Sequence, residues 1–376
     1  MKRYTIILLA AFLLVNSSCV QKKENRPKNP EKERISPEYA TRFSFSEYQS
    51  YPVLFLHNPW NPDEIDQKVL CVPHGNKIPD STDSYKIIRT PIRKIVTMSG
   101  TQIASLNILN QLATIKGVGD KKLIKQPYLK SKLKNNRIRQ VGTNGNFNNE
   151  VLIDLSPDVV LVSPFKGQSN NKLNELELNI LPYADYMEQH PLGRAEWIKV
   201  LGVLYEKQEM AWKYFEQVRD RYIKISKLTD TLTNRPTVFS AKPYGGVWYM
   251  PGGNSYMAHF FEDAGAEYLW NKNQKTSSLS LDFETVYAKA YQADFWKLVV
   301  KSPEDYSYKQ LLSEDERYGD FKAFKKKQVI LCNVAHSPYY EKGALEPDVV
   351  LADFIHIFHP GLIKNYQPVY FKKLTP

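Results

Sequence analysis

Cysteine is scarce in this chain. Three occur in 376 residues, too few for a small scaffold held together by disulfides. Glycine, at 17 residues, is far from the one-in-three repeat of a collagen-like fibre. No apolar run reaches the roughly 20 residues that a membrane-spanning helix needs; residues 6–15 supply about half that, which excludes a polytopic membrane protein. Catalytic signatures are also missing: there is no G-x-S-x-G elbow, no P-loop and no H-E-x-x-H pair. Zinc-finger spacing and RNA-binding signatures are absent too, which argues against a nucleic-acid partner. The histidines are scattered, and only His356 and His359 fall at i, i+3. That pair reads as the end of a helix beside Pro360 more readily than as half of a metal site. A direct metal binder would need several separated ligands, and only His336 is suitably placed.

Hydrophobic residues make up 42% of the chain and aromatics 12%, enough to bury a sizeable core and to exclude a wholly disordered chain. Length alone suggests two domains. The net charge of +11 attracts anionic partners but does not choose among them.

The first residues narrow the choice. Lys2 and Arg3, the apolar run 6–15 and the small residues Ser17 and Ser18 describe a secretory leader over 1–18. The cysteine that follows resembles the cleavage site of bacterial lipoproteins, which makes Cys19 the lipid-bearing mature N-terminus and places the protein on the bacterial cell envelope. An ordinary leader is the alternative, but residues 19–37, rich in Lys, Glu, Asn and Pro, fit a flexible tether better. Loss of Lys2 and Arg3 with the leader lowers the net charge to +9. Cys71 and Cys332 remain, either bridged or as two buried thiols.

Residues 38–92 read as an extra antiparallel β-rich layer, with short strands near 51–57, 68–72 and 85–89 broken by Pro and Asn. From 93 to 192 buried strand runs (94–98, 115–118, 156–162, 179–182) alternate with helical stretches (102–112, 149–155), which predicts a mostly parallel sheet. Residues 193–228 contain no proline and one glycine beyond Gly193, and carry apolar residues at helical spacing. One helix of that length would span some 50 Å and join two lobes, with Gly202 the place for a break; two ordinary helices in one lobe is the alternative. Residues 229–376 repeat the α/β grammar, with strands at 236–240, 295–300 and 328–333 and helices at 256–264, 282–291 and 348–358. The fold class is therefore α/β, two lobes about a connecting helix, with an N-terminal β-rich addition.

The order of several segments resembles the substrate-binding proteins of ABC importers for iron-siderophores, haem and vitamin B12. They are 93–99 (RKIVTMS), 141–143 followed by Asn149-Glu150, 155–161 (LSPDVVL), 193–222, 263–265, Glu284, 347–353 and His359-Pro360. The resemblance covers roughly 92–363 and implies two α/β lobes, a long backbone helix and a ligand held between the lobes without chemistry. It implies no cofactor, a monomer, a small-molecule metal chelate as cargo, most readily a ferric siderophore, and ABC permease subunits as partners. It also implies that Glu150 and Glu284, each in a first helical turn, dock onto arginines of the permease.

Ligands of open α/β sheets sit outside the carboxyl ends of the strands. In the first lobe that selects Ser99, Thr101, Asn144, Asn146, Ser163, Phe165 and Tyr183; in the second, Lys242, Tyr244, Trp248, Tyr249, Tyr256, Ser278, Asn333 and His336. The run 243–254 (PYGGVWYMPGGN) is the densest, because paired glycines free the backbone and three aromatics offer flat surface with polar handles. The competing reading is a hairpin whose aromatics pack inward.

Overall fold

A computed structural model describes residues 31–121, 124–143, 145–165 and 176–375. The leader, Cys19, Asn144 and the first part of the tether lie outside those residues. No helix among the described residues is long and apolar enough to cross a membrane.

The N-terminal layer is a four-stranded sheet, β1 (Phe43–Tyr48), β2 (Tyr51–Asn58), β3 (Asn61–Pro73) and β4 (Lys86–Thr90), in that spatial order. It is antiparallel except for its last pair, β3 and β4, which run parallel. The tether expected through Pro37 is already part of this layer from Glu31: the Ile35 and Phe45 backbones exchange hydrogen bonds of 2.7 and 3.0 Å along the edge of β1.

The first lobe follows as β5 (Ile95–Thr97), α1 (Gly100–Ile108), β6 (Ile115–Val118), α2 (Pro127–Lys134), β7 (Arg139–Gln140), the hairpin β8 (Gly142–Thr143) and β9 (Asn146–Phe147), α3 (Asn149–Leu155), β10 (Val159–Val162) and β11 (Ile180–Pro182). Its parallel sheet has the order β11-β10-β5-β6-β7. Strands such as Val-Val-Leu-Val are buried along their whole length, as a sheet covered on both faces requires.

The crossover is not the single rod expected over 193–228. It consists of α4 (Pro191–Glu196), α5 (Ile198–Leu204) and α6 (Gln208–Ser226). The break comes at 205–207, where Glu206 takes a left-handed conformation (φ 54°) and the Lys207 N–H reaches back 2.7 Å to the Gly202 carbonyl, a helix-ending motif usually built on glycine. Gly202 serves a different purpose: a Cβ there would stand 2.5 Å from the Ala211 Cβ, so its absence lets α5 and α6 pack closely as a hairpin. The backbone helix proper is α6, 19 residues or about 28 Å.

The second lobe runs β12 (Thr237–Ser240), β13 (Pro243–Tyr244), β14 (Val247–Met250), α7 (Tyr256–Asp263), β15 (Glu267–Tyr268), β16 (Leu279–Leu281), α8 (Phe283–Ala290), β17 (Phe295–Val300), α9 (Tyr308–Glu314), α10 (Lys322–Lys325), β18 (Val329–Asn333), α11 (Tyr339–Lys342), α12 (Pro347–Phe358) and β19 (Lys372–Lys373). Its main sheet, β15-β12-β17-β18-β19, is parallel except at β19; β13, β14 and β16 form a separate antiparallel sheet. Helix α6 packs on α12 of this lobe and on α5. Cys71 and Cys332 are both free and buried, and burial pushes the Cys71 thiol up to about 12, so the two-thiol reading is the one realised.

What fastens the N-terminal layer is a pair of carboxylates. Glu196, on α4 and fully buried, accepts the backbone N–H groups of Glu38, Tyr39 and Ala40 at 2.8–2.9 Å and the Lys199 ammonium at 2.7 Å. Glu188 accepts the next two N–H groups, of Thr41 and Arg42, together with the Trp197 indole N–H at 3.0 Å. Close to this contact a Cβ on Gly193 would stand 2.9 Å from the Tyr39 carbonyl oxygen. Removing one partner of a buried ionic network leaves the others unpaired. Glu196→Ala should therefore lower unfolding free energy by about 3 kcal/mol in urea titration, and a loss under about 1 kcal/mol would show that the contact does not hold the layer.

Candidate functional site

The carboxyl ends of both parallel sheets point at one seam. Helix α1 opens there with a capping box: Ser99 Oγ accepts from the Gln102 N–H, and the Gln102 side chain returns to the Ser99 N–H, satisfying donors that a helix start leaves free. The two lobes touch at this helix. A Cβ on Gly100 would stand 2.8 Å from Glu341 Cγ, the Lys125 N–H donates to Glu341 Oε1 at 2.9 Å, and the Lys125 ammonium donates to the Ser337 carbonyl at 2.8 Å and to that of Val334.

Deeper in the seam the Ser99 and Thr101 hydroxyls lie 3.0 Å apart, and Thr101 hydrogen-bonds to Asp185. Asp185 faces Arg194 of α4 at 3.8 Å. Burial raises the Asp185 carboxyl above its ordinary range, against the opposing pull of Arg194. The Arg194 guanidinium lies 4.3 Å from the ring centroid of Tyr256, the first residue of α7 in the other lobe. His190 and His259 also meet across the lobes, with ring centroids 5.6 Å apart. Burial, aided by His259, holds the His190 imidazole down to about 4.

The expected site residues divide. Ser99, Thr101 and Tyr256 come together around Arg194. Phe165 is exposed and stacks on Tyr186 at 5.9 Å, with Ser163 buried two residues before it. Tyr244, 82% exposed, precedes the Gly245-Gly246 turn, whose φ values of 58° and 80° match the primed turns that suit a right-twisted hairpin. Tyr249 faces outward beside its register partner Ser280, and Ser278 is exposed in the approach to β16.

Four of the expected residues have their side chains engaged within the protein. Trp248 is fully buried, its indole donates to the Ser240 carbonyl at 2.9 Å, and its ring packs among Phe239, Trp296 and Phe321; strand alternation sends it inward where it sends Tyr249 outward. Tyr183 is buried against Trp197, 4.7 Å between centroids. The Lys242 ammonium is engaged by Glu314 and by the Tyr306 hydroxyl. Asn333 spends its amide on the 302–304 backbone and on Ala335, bracing a loop. His336 is exposed and lines a cavity of about 500 Å³ with Tyr306, Ser337 and the C-terminal segment 368–375. His359 lies 3.1 Å from the Gly265 carbonyl, as the helix-end reading of His356 and His359 expects.

Asn146 and Glu150 share a shallow depression of about 590 Å³ beside α3. Glu150 and Glu284 occupy equivalent places, the second residue of a helix capped by Asn148 or Asp282, and both are exposed. Glu284 already has a partner: Arg317 reaches it at 3.3 Å while lying 3.8 Å from the Phe283 ring centroid. Asp185, Tyr186, Arg194 and Tyr340 escaped the sequence reading. For Asp185 and Tyr186 the signal was present, since they directly follow a predicted strand end; Arg194 was hidden among the polar residues of a helical stretch.

Residues 95–334 match the periplasmic binding protein family. An uncharacterised lipoprotein of Methanocaldococcus jannaschii is 29% identical over 84% of this chain and 80% of its own. Among solved structures, a periplasmic heme binding protein from Pseudomonas aeruginosa superposes with a TM-score of 0.60 at 15% identity, covering 76% of this chain and 99% of its own. An ABC-type Fe3+-hydroxamate transport protein from Saccharomonospora viridis gives 0.56 at 18%, covering 72% and 94%.

The inward and outward aromatics of β14 separate by mutation. Trp248→Ala should cost about 4 kcal/mol of stability, whereas Tyr249→Ser should stay within about 0.5 kcal/mol in the same urea titrations. His190 yields a pH signature. Its neutral form is the one the fold favours, so its contribution is complete above its ordinary value of 6.5 and falls away as acid takes the pH toward about 4, by up to about 3 kcal/mol. His190→Asn, which keeps a capping acceptor for the Leu192 N–H, should flatten the stability profile between pH 6.5 and 4; an unchanged slope would refute the assignment.

Proposed function

The chain belongs to the periplasmic binding protein family, and from that premise we propose that it is the lipid-anchored capture component of an ABC importer for a metal chelate, a ferric siderophore before haem or a corrinoid. The observation that carries the reading is the placing of exposed aromatics. Phe165 and Tyr186 follow β10 and β11, Tyr244 and Tyr249 follow β12, and Tyr340 follows β18. All lie beyond carboxyl ends of the parallel strands, where ligands of such sheets bind. Flat rings with polar edges suit an organic chelate better than a bare ion, which would call for clustered carboxylates and imidazoles.

Anchoring through Cys19 at the cell envelope is supported by the leader-like start of the sequence and by the lipoprotein designation of the archaeal relative. The cargo is handed on unaltered, as befits a family of binding proteins. Delivery falls to Glu150 and Glu284, whose equivalent places at two helix starts give each lobe one exposed acid for a cationic permease surface. Charge pairs of this kind steer encounter and orientation more than they add affinity.

Two measurements test the reading. Tryptophan fluorescence of the soluble protein from Gln21 onward, titrated with ferric siderophores, haemin and cyanocobalamin, should give saturable binding with at least one, and binding to none would end the proposal. Glu150→Ala with Glu284→Ala should leave that affinity within about twofold while reducing chelate uptake in cells; a fall in affinity instead would place these acids in the ligand site.

A further inference from the structure

Arg194 is an incompletely satisfied buried charge in the seam, hydrogen-bonded to the Tyr256 side chain but short of partners elsewhere. Its side chain is 14% exposed. Its closest carboxylate oxygen stands at 3.8 Å, well beyond the 2.7–2.9 Å typical of a charge-assisted hydrogen bond, and its Nε is buried with no partner. Two buried carboxylates of this protein are more fully surrounded. Asp353 accepts the N–H groups of Val369, Tyr370 and Phe371 and the Tyr366 hydroxyl, and Glu196 is equally well surrounded. A guanidinium offers five donors in a planar fork suited to paired oxygens. Leaving the Nε donor idle in a desolvated place is unfavourable unless something else occupies it.

The surroundings say where that partner would come from. Asp185, held by Thr101, backs the guanidinium from the first lobe, and the Tyr256 ring lies against it from the second. Tyr256 is itself close enough to Tyr340 to interact electrostatically with it, and Tyr340 is 62% exposed. Arg194 therefore sits under the aromatic rim, within the seam already assigned to the cargo.

We propose that Arg194 is a specificity-determining residue that reads anionic oxygens of the bound chelate, so that the preferred cargo is a negatively charged carboxylate or catecholate complex and not a neutral one. The inference rests on the chelate reading of the seam and narrows it. It differs from a purely structural role, in which Arg194 is a strut between Asp185 and Tyr256 and its loss weakens every ligand alike.

The test uses the soluble protein with Arg194→Gln and Arg194→Lys, both first checked for unchanged circular dichroism. Four probes are titrated by tryptophan fluorescence: ferric citrate, a ferric tris-catecholate, a neutral ferric trihydroxamate and cyanocobalamin. Sodium citrate alone is followed by its effect on the melting temperature. The wild type should favour the anionic chelates at least tenfold. Arg194→Gln should weaken these by about 10- to 100-fold, the range for losing a hydrogen bond to a charged group, and leave neutral probes within twofold. Arg194→Lys should fall between, keeping charge without the fork. Equal weakening of all probes, no weakening of the anionic ones, or a wild-type preference for neutral chelates would each overturn the proposal. If no chelate binds but citrate raises the melting temperature only when Arg194 is present, the chelate reading fails and the anion site stands; if neither binds, both fail.

Discussion

The stretch from Asp185 to Lys199 is the constraint on which the rest of the molecule depends. Within it Glu188 and Glu196 take up five consecutive backbone N–H groups of the N-terminal layer, while His190 and Arg194, the latter backed by Asp185, face the second lobe. Three bodies thus meet on one short piece of chain. Buried ionisable groups do not add much net stability when fully paired, but they penalise any arrangement that separates them. They fix which surfaces meet, and the continuous apolar core running from the layer through the crossover helices into the second lobe supplies the cohesion.

This arrangement gives the N-terminal layer a physical role. The layer is attached to the crossover, with Glu38 pairing to Arg219 of α6 at 2.8 Å and the Tyr39 ring lying 4.8 Å from that of His190. A lever fastened to both α4 and α6 resists rotation of one lobe against the other. Together with the Lys125 contacts at the opposite side of the seam, it makes large hinge opening unfavourable and leaves small adjustments of side chains and loops as the way in for a ligand.

Much of this architecture was legible in the sequence, and the reasons differ by element. Strands such as β6 and β17 were read to the residue because a buried parallel strand is a short continuous apolar run. The break after α5 was not legible, since Tyr205, Glu206 and Lys207 are ordinary helix residues and Glu206 adopts a conformation that sequence usually marks with glycine. The parallel pairing of β3 with β4 and the ordering of residues 31–35 were hidden for a related reason: both depend on long-range partners that no local pattern encodes. At the site, the loops were found and the side-chain directions were not. Trp248 and Tyr249 are adjacent, and only the register of β14 against β16 tells which one enters the core.

Arg194 shows why a binding site can be hard to read when the fold is easy. A core residue announces itself by a type that repeats with the period of its element. A ligand-facing charge is an exception to that period, and in a helix it looks like any solvated residue. Its distinguishing property is energetic: a group removed from water without a full set of partners, unlike the carboxylates of Glu196 and Asp353. Such incompleteness is unfavourable for the empty fold. It becomes favourable once a guest brings the missing oxygens, because the desolvation has already been met during folding and the guest need not supply it again. The same reasoning separates Arg194 from Arg317, which is half-exposed, paired with Asp315 at 2.7 Å and in contact with Glu284, and so has nothing left over with which to select a ligand.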